Sequence, residues 1–332
     1  MPGDLLILTA DDVRRALPME RAISACEEAY GAYSSGQALV PLRTQIPVPE
    51  FEGVSVFMPG HVSGAGATGL KVVSVYPRNP EHGLPTIMGM VVLLDASTGT
   101  PLALLEGGYL TALRTGAAAG VAARYLAPAG ARVAALFGAG VQGRTQVLAL
   151  AAVRPIEEVR VFDPVPGRAQ ALARDLAGEL PAVRWVFPSH PREAVAGAQV
   201  VLAATTSSRP VFPGDALAPG THVTAIGAFT PSMQEIDETT ILRASKLVVD
   251  SREAVLAEAG DIIIPLREGK ITRDHIFAEI GEIVLGRKPG RQAADETTVY
   301  KAVGLAVLDV AAAAAAYRGA RELGLGTRVR LL

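Results

Sequence analysis

At the centre of the chain stands the sequence Leu136-Phe137-Gly138-Ala139-Gly140-Val141-Gln142-Gly143. An apolar run, Val133 to Phe137, leads into it, and an apolar-periodic segment from about Thr145 to Val153 follows it. This pattern predicts a strand, a tight turn and a helix. The three glycines have the spacing G-x-G-x-x-G, which is typical of dinucleotide-binding loops, although the spacing alone also fits an ordinary glycine-rich turn.

Each glycine has a separate physical role in a dinucleotide site. Gly138 permits the tight turn, Gly140 lets backbone approach a pyrophosphate, and Gly143 lets the helix pack closely on the strand. The N-terminus of that helix then presents N–H groups and a positive dipole end to the phosphates. We therefore predict that the cofactor is bound by the whole loop, which comprises Gly138, Ala139, Gly140, Val141, Gln142 and Gly143.

The next predicted strand supports this interpretation because it ends in an acid. The segment from Glu158 to Asp163 alternates and contains β-branched residues. Asp163 follows the last glycine by about 20 residues, the spacing of the carboxylate that binds a ribose. That carboxylate accepts hydrogen bonds from both ribose hydroxyls and repels a 2′-phosphate. The sequence therefore favours NAD(H) as the cofactor and leaves NADP(H) possible.

Composition and charge narrow the functional class. The 332 residues suggest two domains, and 49% hydrophobic against 19% charged residues indicates a globular chain with ample core material. The formal net charge of −2 gives no signal for nucleic acid and no polybasic patch for a membrane surface. We expect a small-molecule substrate as the partner, and neither a nucleic acid nor a membrane.

Cysteine and histidine usage indicates the compartment and the absence of a metal. Cys26 is the single cysteine, which rules out an intrachain disulfide and fits a reducing cytosol. We interpret it as a buried helix residue and expect a cytoplasmic protein without a signal peptide. The histidines have no metal-ligand spacing, so we predict no metal site.

The rest of the chain divides into two patterns. Before residue 131 the predicted strands are mostly antiparallel, including 54–58 and 70–75, with Gly64, Gly66 and Gly69 in a turn between them. From Ala131 strands alternate with helical stretches, which predicts a doubly wound parallel sheet of the Rossmann type. The fold class is therefore α/β, with an additional α+β, mostly antiparallel domain.

The two ends of the chain are expected to form one domain. Residues 297–323 have one long helical pattern with a soft break at Gly304, which we expect to cross back to the first domain. We therefore assign residues 1–115 with 305–332 to a substrate-binding and dimerisation domain. Residues 116–304 are assigned to the dinucleotide-binding domain.

Three basic residues are candidates for chemistry. Lys71 lies within an apolar strand, where Val73 and Val75 share its face, so desolvation favours its neutral form and suits proton transfer near neutral pH. Arg114 stands on a helix of small residues, where it can bind a carboxylate with two N–H groups. Arg43 precedes a strand, and for each of the three a plain surface residue remains the alternative.

Several motifs occur in the order in which one known family has them. Gly83-Leu84-Pro85-Thr86 and the glycine loop are two of them, and the chain resembles the ornithine cyclodeaminase/mu-crystallin family over nearly its whole length. The other matching segments are 95–101, 110–118, 279–282, 286–291 and 298–304.

The resemblance implies a homodimer of two-domain subunits that use a nicotinamide cofactor and act on α-amino or α-imino acids. By motif position, it implies that Arg43, Lys71 and Arg114 hold the substrate carboxylate and that Thr86 lines the same pocket. Residues on the cofactor side after the fourth strand of the parallel sheet would be Thr205, Thr206 and Ser207.

One departure from the family pattern bears on the substrate. After Ile226-Gly227-Ala228 the chain has Phe229, where the cyclodeaminases carry an acid that handles the distal amine of ornithine. Phe229 accepts neither a hydrogen bond nor a proton, and we expect it to pack on ring methylenes instead. Residues 234–237, with Glu235 and Asp237, are interpreted as a solvated helix start; the alternative is that one of these acids replaces the missing acceptor if the loop folds inward.

These observations favour an NAD(P)H-dependent reductase of cyclic ketimine acids, with Δ1-pyrroline-2-carboxylate and Δ1-piperideine-2-carboxylate as substrates. Lys71 and Arg114 are the expected catalytic residues, and Arg43, Thr86 and Phe229 complete the substrate site. The alternatives are an alanine-type amino-acid dehydrogenase, an ornithine cyclodeaminase, and a ligand-binding protein of the mu-crystallin kind with little turnover.

Overall fold

The structure is a computed structural model that describes residues 4–331. Its strands, in chain order, are β1 (Asp4–Leu8), β2 (Ala38–Leu39), β3 (Thr44–Val48), β4 (Gly53–Val62), β5 (Ala67–Val75), β6 (Ile87–Asp95), β7 (Pro101–Glu106), β8 (Val133–Phe137), β9 (Glu158–Phe162), β10 (Arg184–Val186), β11 (Val200–Ala203), β12 (His222–Ala225), β13 (Lys246–Val249), β14 (Ile276–Glu279), β15 (Thr298–Lys301) and β16 (Thr327–Arg330). Its α-helices are α1 (Ala10–Ala16), α2 (Met19–Ser34), α3 (Gly107–Leu126), α4 (Val141–Val153), α5 (Arg168–Leu176), α6 (Pro191–Val195), α7 (Glu238–Leu242), α8 (Arg252–Glu258), α9 (Gly260–Arg267), α10 (Ile280–Val284) and α11 (Ala306–Leu323).

The chain divides into two compact units. The first contains the residues up to Arg114 and those from Leu305 onward, and the second contains Thr115–Gly304. The first unit therefore takes its elements from both ends of the chain.

The first unit is built on a mixed, mostly antiparallel sheet. Its strand order is β16-β1-β7-β6-β5-β4-β2, and β3 pairs with β4 beside this path. Only β1 and β7 run parallel to each other among the pairs that the described residues form in this sheet. This confirms the expected mostly antiparallel domain.

Helix α11 packs on strands β4, β5 and β6 of that sheet. Small residues permit this approach: a side chain at Gly69 would meet the Val92 carbonyl oxygen at 2.9 Å and Val310 Cγ2 at 3.1 Å. Gly69 lies inside β5. Its predicted place in the turn before that strand was therefore wrong, whereas Gly64 and Gly66 do lie in that turn.

The first helix begins with a reciprocal cap. Thr9 caps α1 by accepting a hydrogen bond from the Asp12 backbone N–H, and the Asp12 carboxylate accepts one from the Thr9 N–H in return. This reciprocal arrangement satisfies two backbone donors that have no partner within a helix.

The second unit contains the predicted doubly wound sheet. All eight strands are parallel, in the order β10-β9-β8-β11-β12-β15-β13-β14. Strand β8, which leads into the glycine loop, lies between β9 and β11. The carboxyl ends of these strands form the edge at which such sheets bind ligands.

The prediction of one long helix over residues 297–323 was wrong for its first part. Residues 298–301 form β15, a buried strand between β12 and β13, and α11 begins only at Ala306. A strand buried on both faces has no alternation of polar and apolar residues, so its period does not distinguish it from a helix. Gly304, with φ of +89°, lies between the two elements.

None of the helices among residues 4–331 is long and apolar enough to cross a membrane.

Candidate active site

A buried group of three charged side chains lies in the first unit. Asp309 Oδ2 is 2.8 Å from Lys71 Nζ, and Asp309 Oδ1 accepts a hydrogen bond of 2.8 Å from Arg114 Nε. The side chains of Lys71, Arg114 and Asp309 are 4%, 7% and 1% exposed. We refer to these three residues as the buried triad.

Three different elements supply the buried triad. Lys71 lies in the middle of β5, paired with Met58 of β4 and Val91 of β6. Arg114 lies on α3, and Asp309 lies in the first turn of α11, the helix that packs on this sheet. Strand pairing and helix packing therefore fix the three side chains, rather than a mobile loop.

Burial and neighbouring charges shift the ionisation of Lys71. Burial lowers the pKa of Lys71 to about 8, against the opposing effect of the Asp309 carboxylate and with a further lowering by Arg114. For Asp309, burial alone would raise the pKa, but Arg114 and Lys71 hold it below its usual range. Two cations thus face one carboxylate, and the excess positive charge favours binding of an anion.

Arg43 contributes to the same electrostatic environment. It is half-buried in the segment between β2 and β3. The charge of Arg43 lowers the pKa of Lys71, although burial, Asp309 and Arg114 each have a larger effect on that pKa.

Thr86 lies beyond the buried triad along the hairpin of β5 and β6. Its carbonyl accepts a hydrogen bond of 2.9 Å from the Tyr76 N–H, next to the pair formed by Val75 and Ile87. Within the described chain, no hydrogen bond joins Thr86 to the buried triad.

The glycine loop in the second unit has the geometry that a dinucleotide needs. Gly138 has φ of +94°, and a side chain there would meet the Ala204 carbonyl oxygen at 2.5 Å. A side chain at Gly143 would collide with the Gly138 carbonyl oxygen, so α4 packs closely on β8 only because this residue is glycine. A side chain at Gly140 would have no described atom within 4 Å, so this side of the loop is open.

A polar atom in this loop also lacks a partner. Gln142 Oε1 is buried and has no hydrogen-bond partner among the residues that the structure describes. Together with the open side of Gly140, this observation fits a loop that binds a pyrophosphate-containing ligand.

Asp163 makes hydrogen bonds within the chain that sequence spacing did not reveal. Its Oδ2 atom accepts a hydrogen bond of 2.9 Å from the Ala139 N–H, and its Oδ1 atom accepts one of 2.9 Å from the Val165 N–H. The carboxylate thus shapes the glycine loop. Each carboxylate oxygen has a further lone pair, so both can still accept from a ribose hydroxyl.

Comparison with known proteins places this geometry in a family. Residues 4–323 match the model of the ornithine cyclodeaminase/mu-crystallin family. The chain belongs to this family. The resemblance seen in the sequence motifs is therefore confirmed over most of the chain.

Three relatives that align with nearly the whole chain are informative. A Delta(1)-pyrroline-2-carboxylate reductase of Bacillus cereus is 39% identical, over 98% of this chain and 99% of that protein. The structure of Thermococcus litoralis Delta(1)-pyrroline-2-carboxylate reductase with NADH and L-proline has a TM-score of 0.92 at 42% identity, over 98% and 100% of the two chains. An archaeal alanine dehydrogenase dimer with bound NAD has a TM-score of 0.91 at 35% identity, over 99% and 100%.

The loops after β11 and β12 contain four of the predicted site residues. Thr205 donates hydrogen bonds from its backbone N and Oγ1 to Glu235 Oε1, at 2.5 Å and 2.9 Å, and its Oγ1 accepts one from the Ser207 N–H. Thr206 is exposed between them, and Phe229 is 50% exposed in the loop after β12.

The interpretation of Glu235 as a solvated helix residue was wrong. Its side chain is fully buried, with Gly227 and Ala228 as additional donors to Oε2. Asp237 does begin a helix, because its carboxylate accepts the Thr240 N–H as the cap of α7. An acid two residues before a helix cap gives no sequence signal that it points inward.

Asp309 is the member of the buried triad that sequence reasoning missed. An isolated acid in an apolar helix is the signal that could have identified it, because buried carboxylates are rarely found without a cationic partner.

Cys26 is a buried residue of α2, as expected. Cys26 is fully buried, and burial raises its pKa to about 12, which leaves the thiolate inaccessible at neutral pH. Across residues 4–331, no group of three or more histidine, cysteine, aspartate or glutamate side chains could hold a metal ion.

Proposed function

We propose that this family member is an NAD(P)H-dependent reductase of cyclic ketimine acids. It reduces Δ1-pyrroline-2-carboxylate and Δ1-piperideine-2-carboxylate to L-proline and L-pipecolate. The observation that supports this most strongly is the buried triad, whose excess positive charge matches an anionic substrate. The full-length similarity to Delta(1)-pyrroline-2-carboxylate reductases supports the same reaction.

The first task of the site is to bind the substrate carboxylate. A guanidinium has five N–H donors, and Arg114 uses the one on Nε for Asp309. We infer that Arg114 and Arg43 bind the carboxylate, with Thr86 lining the site. Fixing the carboxylate orients C2 of the imine for reduction, which lowers the entropic part of the barrier.

The second task is to supply a proton. With a pKa of about 8, Lys71 is mostly protonated at neutral pH and is a stronger acid than an ordinary lysine. Lys71 donates its proton to the imine nitrogen, and its neutral amine is then stabilised by the surrounding burial. When bound, the reduced nicotinamide supplies the hydride that adds to C2.

The cofactor is held by the second unit. The glycine loop would bind the pyrophosphate at the start of α4, and Asp163 would accept from the adenosine ribose. Thr205, Thr206 and Ser207 would contact the other half of the dinucleotide. Asp163 favours NAD(H) over NADP(H), because its charge repels a 2′-phosphate.

An alanine-type dehydrogenase is the second candidate, since the chain is similar to an archaeal alanine dehydrogenase over its full length. That reaction reduces an imine formed from pyruvate and ammonia. Ornithine cyclodeamination is disfavoured, because it requires the distal ammonium of ornithine to be held and deprotonated. Phe229 provides no acceptor, and an unsatisfied buried polar group costs about 1–3 kcal/mol.

One panel of initial rates tests these functions. NADH and NADPH oxidation would be measured with each cyclic imine and with pyruvate plus ammonia, and proline formation would be measured from ornithine. We expect the highest kcat/KM with a cyclic imine and no ammonia release from ornithine. Efficient proline formation from ornithine, or a preference for pyruvate plus ammonia, would overturn the proposal.

We also propose that the protein is a homodimer formed through the first unit. Its β2 to β6 region leaves large apolar side chains exposed, namely Leu39, Leu42, Ile46, Phe51, Ile87, Met88 and Met90. Exposed apolar surface of this extent is typical of an interface. Light scattering at micromolar concentration should give twice the chain mass of 34.5 kDa, and a monomer would contradict this assignment.

A further inference from the structure

Glu235 joins two loops at the carboxyl edge of the parallel sheet. Oε1 accepts hydrogen bonds from the backbone N and Oγ1 of Thr205, and Oε2 accepts from the N–H groups of Gly227 at 2.5 Å and Ala228 at 3.1 Å. Thr205 follows β11 and Gly227 follows β12, and these strands are hydrogen-bonded neighbours. One carboxylate therefore receives four donors from two loops.

The close spacing of the two loops depends on this arrangement. A side chain at Gly227 would lie 2.5 Å from the Thr205 nitrogen and 2.6 Å from Glu235 Oε1. The absence of a side chain at this position lets both loops meet the same carboxylate.

Glu235 is itself held rigidly. Its backbone N–H donates to Asp261 Oδ1 at 2.6 Å, and its carbonyl accepts the Val211 N–H at 2.9 Å. Asp261 Oδ2 is 2.8 Å from Lys301 Nζ, and all three side chains of Glu235, Asp261 and Lys301 are fully buried. The buried ion pair of Asp261 and Lys301 thus helps to fix the backbone that carries the Glu235 carboxylate.

Strand order indicates which half of the cofactor these loops face. Asp163 follows β9 on one side of β8, whereas Thr205 follows β11 on the other side. A dinucleotide with its pyrophosphate at the loop after β8 extends across both sides. With its adenosine ribose at Asp163, its nicotinamide half faces the loops after β11 and β12.

We propose that Glu235 is a positioning residue for the nicotinamide half of the dinucleotide. This inference rests on the proposed function, because it takes the cofactor to be NAD(H). Glu235 acts through Thr205 and the Gly227–Ala228 backbone, and it does not contact the reacting atoms.

The test compares two ligands that share the adenosine half. NADH binding would be measured by fluorescence and ADP-ribose binding by calorimetry, both without substrate, for the wild type and Glu235→Gln. Glutamine replaces one acceptor oxygen with an NH2 group, which cannot accept from the backbone N–H on its side, so at least one of the four hydrogen bonds is lost. Glu253→Gln makes the same chemical change at an exposed position and is the control.

Glu235→Gln should weaken NADH binding about tenfold and change ADP-ribose binding less than about twofold, whereas Glu253→Gln should change neither. Equal weakening of both ligands, or no change in NADH binding, would overturn the inference. If Glu235→Gln showed this split and the wild type reduced no cyclic imine, the inference would stand and the substrate assignment would fall.

A milder variant serves if Glu235→Gln does not fold. Thr205→Ala removes the Oγ1 donor to Glu235 and the acceptor of the Ser207 N–H, and it leaves the backbone donors to Glu235 in place. It should weaken NADH binding about threefold with ADP-ribose binding unchanged. A loss shared equally by the two ligands would count against Glu235.

Discussion

Asp309 Oδ2 lies 2.8 Å from Lys71 Nζ, with both side chains almost fully buried, although the two residues come from opposite ends of the chain. Such a pair is costly to break, because removing one partner leaves an uncompensated charge in the interior. It also ties the ionisation of the proposed proton donor to a residue that does not need to touch the substrate.

The first prediction concerns Asp309. Asp309→Asn should lower the free energy of unfolding by about 3–5 kcal/mol, because it leaves Lys71 and Arg114 buried together without an anion. It should also lower kcat/KM by roughly a hundredfold through misplacement of both side chains. Urea unfolding and initial rates measure the two effects.

Asp175→Asn is the matched control for this variant, since Asp175 is exposed on α5. It should alter stability by less than about 0.5 kcal/mol. If Asp309→Asn behaved like the control in both assays, the buried triad would have no part in binding or catalysis.

The second prediction concerns the carboxylate-binding residue. Arg114→Lys keeps the charge but loses the planar pair of donors, so kcat/KM should fall on the order of 10²-fold, about 2.7 kcal/mol in transition-state stabilisation. Arg318→Lys, an exposed change on α11, should leave the rate unchanged. A nearly wild-type rate for Arg114→Lys would remove this residue from the site.

The third prediction concerns pH. Lys71 donates a proton only in its charged form, so kcat/KM for imine reduction should decrease as pH rises through its pKa of about 8. The Asp309 carboxylate raises the pKa of Lys71 against the larger effect of burial, so in Asp309→Asn this alkaline decrease should move to lower pH. A decrease that stays at the same pH in both proteins would belong to the substrate imine instead.

The fourth prediction concerns cofactor preference. Asp163→Ser should weaken NADH and relieve the repulsion of a 2′-phosphate, shifting the ratio of kcat/KM values toward NADPH by about tenfold or more. Asp163→Asn removes the charge with little change in shape and separates electrostatics from the support that Asp163 gives the loop. A wild type that already prefers NADPH strongly would show that the role given to Asp163 is wrong.

Local patterns predicted much of the fold. The glycine loop and the alternation of strand and helix after Ala131 both depend on residues close together in sequence, and the structure has both of them. Residues 298–301 were misassigned because a strand with both faces buried carries no period of its own.

The proposed site was predictable only where a residue looked unusual in its own segment. Lys71 and Arg114 stand out against apolar and small neighbours, and both are buried, which was expected for Lys71. Asp309 pairs with Lys71, and Glu235 accepts hydrogen bonds from Thr205. Both partners are distant in the sequence. Pairings across such separations arise from packing, which a single sequence does not display.

The assembly of the first unit from both chain ends has a consequence for biosynthesis. Arg114 is synthesised 195 residues before Asp309, a delay of roughly 10–40 s at about 5–20 residues per second. During this interval Lys71 and Arg114 lack their carboxylate, while the whole of Thr115–Gly304 is synthesised. The second unit is therefore the first whose residues are all synthesised, and the buried triad is assembled last.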